Sequence, residues 1–232
     1  MITKNLPAYA GQKWADCLAS VTLLSGNHRN GGDPLVEHEK ELYDFDKICE
    51  ALFKEQKAKK PTSADALDVS PKVVRVVEFK SGFQDKISRE NFDKEKAKCD
   101  VTGQLCEECW KLRSALRKAQ TNELYDSIRA KALESLLTLE KKVLPLCADS
   151  PRPIKLFYVV VIDADPTDKM EDILADLGTR KRPDKTTNLL NQVHCALSRL
   201  VGVRDADKNT YCYDEVEVFT PQKYKALLDR RT

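Results

Sequence analysis

The run Val73-Val-Arg-Val-Val-Glu-Phe-Lys80 constrains the fold more than any other stretch of the chain. Its β-branched residues and short length predict a strand. Successive side chains of a strand point to opposite faces. Val74, Val76, Glu78 and Lys80 therefore share one face, and Val73, Arg75, Val77 and Phe79 share the other. A strand apolar on both faces belongs inside a sheet that is covered on both sides. A carboxylate and an ammonium at the end of such a strand need a partner, a metal ion or water. Gly82 then breaks the run.

The neighbouring stretches build a domain around this strand. Ala64 to Val69 reads as a short strand, and Ser70-Pro-Lys72 as the turn of a hairpin. That hairpin sets Asp65 on one arm and Glu78-x-Lys80 on the other. Ile154 to Asp163 is a second strand apolar on both faces, placed centrally in the sheet. Tyr125, Ile128, Ala132, Leu136, Leu139 and Val143 follow at spacings of 3, 4, 4, 3 and 4, the stripe of a helix against a core. This predicts a long helix, or two in line, over 105–144, ended by Pro145 and Pro151. Residues from about 99 to 150 thus form a helical insertion between the two main strands.

Leu35 to Lys57 is read as a helix from Leu42, Phe45, Ile48, Cys49, Leu52 and Phe53. Within a 1–34 N-terminal extension, Trp14, Leu18 and Val21 fall on one face of a further helix. Ile87 and Phe92 anchor a weaker helix over 83–98, and 170–177 reads as a short one. A helix over 189–201 turns Val193, Leu197 and Leu200 inward. Tyr211 to Phe219 is an edge strand, and Thr220-Pro221 caps a final helix over 222–228. The sum is one α/β domain, a mixed central sheet flanked by helices.

A third of the 232 residues are charged, yet the net charge is only +2. Any nucleic-acid surface must therefore come from local clustering. Lys57, Lys59 and Lys60, with Arg180, Lys181 and Arg182, are the clusters available. No stretch reaches the length of a membrane span, and the first residues carry no secretory apolar core. Eight cysteines in such a chain read as reduced thiols. A cytoplasmic protein without a membrane partner is the expectation.

Two acids on neighbouring strands can hold one hard cation, and Mg²⁺ suits a site completed by waters and substrate phosphate. Such an ion polarises a phosphodiester and helps generate hydroxide. A lysine beside it orients the attacking water or stabilises the transition state. Asp65, Glu78 and Lys80 are the catalytic candidates, with Asp65 and Glu78 as metal ligands. Asp68 rivals Asp65, because register in a short strand is loose, and of Glu39 and Glu50 on the preceding helix one can point at the site.

Asp65, a gap of twelve residues, then Glu78-x-Lys80 on a strand resembles the PD-(D/E)xK, or restriction-endonuclease-like, nuclease superfamily. The wording Ala64-Asp-Ala66 … Glu78-Phe-Lys80 is similar to bacterial and phage members, although Ala64 stands where the motif name has proline. The resemblance implies a core of helix, hairpin, Glu-x-Lys strand, helix and strand, here 35–57, 64–69, 73–80, 105–144 and 154–163. It further implies Glu50 as the acid of the first helix and a further metal ligand, with Glu37 and Glu39 competing for that role. It also implies Mg²⁺- or Mn²⁺-dependent hydrolysis of nucleic acid, with DNA the first expectation before RNA, and it leaves a homodimer open. The alternatives are a catalytically inactive binding protein of the same fold and an intracellular protein-interaction domain.

Other constellations carry less. Cys99, Cys106 and Cys109 could hold Zn²⁺, but a second close pair is missing. His28 and Arg29 sit in a loop, Gly31-Gly32 is too small a signal for phosphate, and Asp163 and Asp165 read as a turn before Pro166. No local arrangement singles out a cysteine–histidine nucleophile.

Overall fold

Among the described residues, six strands form one mixed sheet: β1 (Leu18–Ser20), β2 (Glu41–Asp44), β3 (Ala66–Val69), β4 (Val73–Lys80), β5 (Lys155–Ile162) and β6 (Glu215–Phe219). Their spatial order is the chain order. The computed structural model describes residues 6–26, 33–55, 59–81, 107–146, 155–163, 185–198, 200–201 and 212–230. β1 to β4 run antiparallel in succession, whereas β4, β5 and β6 are parallel. Parallel neighbours need crossovers. α4 (Glu107–Thr138) lies in the one between β4 and β5, and α5 (Lys185–Ser198) in the one between β5 and β6. The helical insertion is thus a crossover connection. α4 continues into a π turn (Leu139–Val143) and a 3₁₀ turn (Leu144–Leu146) that contains Pro145.

The pleat sorts the two cores. On one face Val74, Val76, Leu156, Tyr158 and Val160 pack under α1 (Leu6–Lys13), α3 (Phe45–Glu55), α4 and α5. The predicted α4 stripe lies in this core, from Tyr125 to Val143. On the other face Val77, Val159 and Val161 meet Val21 of α2 (Val21–Leu24), Val36, and Tyr224 and Leu228 of α6 (Pro221–Asp229). The Thr220 side chain accepts from Lys223 N at the start of α6, the predicted cap.

Two expectations fail. Residues 14–24 are not one helix. Trp14 is buried after the end of α1, Leu18 opens an edge strand, and α2 lasts a single turn. Residues 6–24 are built into the sheet and core rather than appended to them. The helix expected over 35–57 begins only at Phe45, because 41–44 pairs with both β1 and β3. Asp44 Oδ1 accepts from Lys47 N at 3.0 Å, and this capping bond marks the true start. The expected helices over 83–98 and 170–177 lie outside the described residues. Among those residues, no helix is long and apolar enough to cross a membrane.

Candidate active site

The pleat of β4 carries Glu78 onto the face covered by α4, where the residue has no exposed surface. Asp65, just before β3, continues the hairpin ladder through a bond from its N–H to Val77 O at 3.1 Å. Its carboxylate reaches β4 directly, Oδ2 accepting from Phe79 N at 2.7 Å. Lys80 Nζ lies 2.7 Å from Glu78 Oε1. The three residues singled out by the motif thus come together at the end of the hairpin.

A fourth residue joins them. Lys131 Nζ, from α4, donates to Glu78 Oε1 at 2.8 Å and to Oε2 at 3.0 Å, and lies 3.5 Å from Asp65 Oδ1. The helix is held in register on both sides of this lysine. Tyr158 Oη donates to Ile128 O at 3.3 Å, and Tyr213 Oη to Ala132 O at 2.8 Å. The same helix fixes the approach to Asp65. Ser135 Oγ accepts from Ala64 N at 2.9 Å, and Glu134 Oε2 accepts from both Thr62 N and Thr62 Oγ1.

Burial, followed by the Glu78 charge, pushes the Asp65 carboxyl up to about 7, against the lowering pull of Lys131, the Phe79 N–H and Lys80. Burial by itself would lower Lys131, but Glu78 and Asp65 outweigh it and raise the ammonium above its ordinary value. The cluster is not sealed. Asp65 keeps 30% of its side-chain surface open and Lys131 25%. Both line a cleft of about 910 Å³ shared with Asp44, Asp46, Lys47 and Lys60.

The other candidates fall elsewhere. Asp68 is on the opposite face of the sheet, 3.4 Å from Arg75 Nη1 and 3.8 Å from Lys40 Nζ, so Asp65 alone of the two meets Glu78. Glu50 is mostly exposed and bound to Lys60 Nζ at 3.3 Å. One turn earlier, Asp46 holds Lys60 at 2.7 Å, accepts from the Ser63 hydroxyl and faces the cleft. If an acid of the first helix belongs to this site, Asp46 is better placed than Glu50. Lys60 is therefore paired rather than free, and Lys59 is exposed. Lys57, His28, Arg29, Gly31-Gly32, Cys99, Cys106, Asp165 and Arg180 to Arg182 lie outside the described residues, as does the side chain of Cys109. Asp163 N donates to Lys80 O at 3.2 Å, extending the parallel pairing one residue past the strand.

Lys131 does not stand out in the sequence, because the apolar stripe of α4 marks only its core positions. Lys131, Glu134 and Ser135 form a polar ridge at spacings of 3 and 4 beside Ile128, Ala132 and Leu136. That ridge is the sequence signal for a polar contact on this side of the helix.

Among the described residues, no group of three or more Asp, Glu, His or Cys side chains is placed to hold a metal ion. Two carboxylates, waters and a substrate phosphate nevertheless suffice for Mg²⁺. Asp65 and Glu78 supply that pair, converging on the point now held by Lys131. Compared with protein-family models, with curated proteins and with solved structures, the chain shows no match.

Proposed function

We propose that the chain is a metal-dependent phosphodiesterase of restriction-endonuclease-like fold that cleaves nucleic acid, DNA before RNA. The observation that carries this reading is the convergence of Asp65, Glu78 and Lys80 at one end of the β3–β4 hairpin. The order α3, β3, β4, α4, β5 supports it, since it follows the family core with a shortened first helix and a lengthened second one. When bound, Mg²⁺ or Mn²⁺ would be held by Asp65 and Glu78 and would supply the polarisation of the phosphodiester. Glu78 anchors Lys80, and Lys80 orients the attacking water or stabilises charge on the phosphoryl oxygens. The cleft beside Asp65 and Lys131 gives a substrate its approach.

The test is Mg²⁺- or Mn²⁺-dependent cleavage of duplex DNA, single-stranded DNA and RNA. Glu78→Gln and Lys80→Met are each expected to lower the rate by about 100-fold or more, the scale of losing an acid–base or electrostatic group. Cleavage that survives both substitutions ends the assignment. One observation favours a second reading, a non-catalytic binding protein of the same fold: Lys131 and Lys80 already neutralise the acid pair. Cation-independent nucleic-acid binding by a wild-type chain that cleaves nothing would select it.

A further inference from the structure

We propose that the Lys131 ammonium occupies the seat of the divalent cation and must swing out before that cation binds. The inference rests on the reading of Asp65 and Glu78 as cation ligands. Four carboxylate oxygens meet in the cluster. Asp65 Oδ2 is taken by the Phe79 N–H. The other three, Asp65 Oδ1 and both oxygens of Glu78, face Lys131 Nζ at 3.5, 2.8 and 3.0 Å. A hard cation drawing on the same oxygens at about 2.0–2.1 Å would sit at the same point of convergence. Two positive groups cannot share it: they would repel at close range and compete for the same lone pairs.

The two lysines divide the work. Lys80 comes from the same strand as Glu78 and meets Oε1 at 2.7 Å. Oε1 has two lone pairs, so Lys80 can keep its contact on one while a cation takes the other. Lys131 comes from the helix across the sheet and reaches both Glu78 oxygens. Its side chain is a quarter exposed and lines the open cleft, so it has a route out. The cleft also holds Asp46, an acceptor for the released ammonium. Lys131 is thus a positioning residue that keeps the acid pair preorganised without metal and sets the cation concentration at which the site loads.

The test is a Mn²⁺ titration followed by electron paramagnetic resonance on the full chain and its variants Lys131→Gln, Asp65→Asn and the double variant, with folding checked by circular dichroism. The expected result is at least tenfold tighter Mn²⁺ binding in Lys131→Gln than in wild type, abolished by Asp65→Asn in either background. Equal affinity that is still lost with Asp65→Asn overturns the displacement of Lys131 and leaves the cation site standing. No Asp65-dependent binding in wild type or in Lys131→Gln overturns both. A measurement on the wild type covers the case in which the variant does not fold. Acetylation of native protein by an N-hydroxysuccinimide ester, read at Lys131 by mass spectrometry against exposed Lys223, is expected to rise severalfold once Mn²⁺ is bound. Unchanged labelling with Mn²⁺ bound overturns the proposal.

Discussion

At the residue scale, the ionisable groups around the cleft behave according to how many partners each has. Glu78 has no exposed surface and receives two lysines. Asp46, with about half its side chain exposed, is held below the ordinary aspartate range. Burial works against that lowering, but hydrogen bonds from Lys60 and Ser63 outweigh it. The folded chain therefore binds this proton less readily than the unfolded one. Its stabilisation is present above the unfolded value and is lost as pH falls through the lower folded value. Solvent screening keeps it within about 1 kcal/mol. Wild type and Asp46→Asn should differ by at most that amount at pH 7 in urea denaturation, and the gap should close in acid below the ordinary aspartate range. A gap that does not change with pH would mean that the ionised form of Asp46 contributes nothing. Cys49, beneath the same turn, goes the other way. Burial pushes its thiol up to about 12, Asp46 and Asp44 adding while Ser63 and Lys60 oppose. The thiolate is the nucleophile, so Cys49 should resist iodoacetamide at pH 8 by on the order of a thousandfold against an ordinary thiol. Exposed Cys195 should be alkylated before Cys49, as peptide mass spectrometry of native protein would show.

At the element scale, α4 does two jobs besides carrying Lys131 to Glu78: it roofs one face of the sheet and ties down the approach to Asp65. The second job rests on the buried bond from Ala64 N to Ser135 Oγ. Ser135→Ala removes the acceptor and strands a buried N–H, which costs about 1–3 kcal/mol. The loss of stability should come with weaker Mn²⁺ binding, because the 62–65 backbone loses its anchor. A full stability loss with unchanged cation affinity would show that Asp65 is held by its ladder and the Phe79 N–H alone. The elements differ in how plainly the chain announces them, and the reason is physical. β4, β5 and the α4 stripe are long enough for one periodicity to dominate, and Thr220-Pro221 is a cap that acts locally. β1 and β2 have three and four residues, and Leu42, Phe45, Ile48 and Cys49 happen to continue a helical rhythm across the junction at Asp44. Only the capping role of Asp44 separates strand from helix there. In the site, the three motif residues were legible because the pleat fixes their common face. Lys131 and Asp46 were not, because they arrive through packing between elements far apart in sequence.

At the scale of the whole molecule, the sheet changes character at β4, antiparallel toward β3 and parallel toward β5. The cluster sits on that central strand, under the crossover helix, where an apolar core would otherwise be continuous. Val76 and Val160 flank Glu78 on the same face, and Tyr158 lies fully buried nearby. Burying a carboxylate and an ammonium here carries a desolvation cost of several kcal/mol per ion that mutual attraction only partly returns. A fold selected for stability alone would place a leucine at position 78. Where such a pair costs the fold stability, its place answers a requirement other than folding, and a double-mutant cycle decides whether this one does. Lys131→Met alone takes one of two lysines from Glu78, which keeps Lys80 at 2.7 Å, and is expected to cost about 1–3 kcal/mol in chemical denaturation. Glu78→Leu with Lys131→Met removes both charges, frees Lys80 to turn toward water and is expected to match wild type or exceed it by about 1–4 kcal/mol. The double variant should at the same time lose all Asp65-dependent cation binding. If it instead falls as far as the single variant, the buried pair is a net contributor to the fold, and its place in the core needs no functional cause.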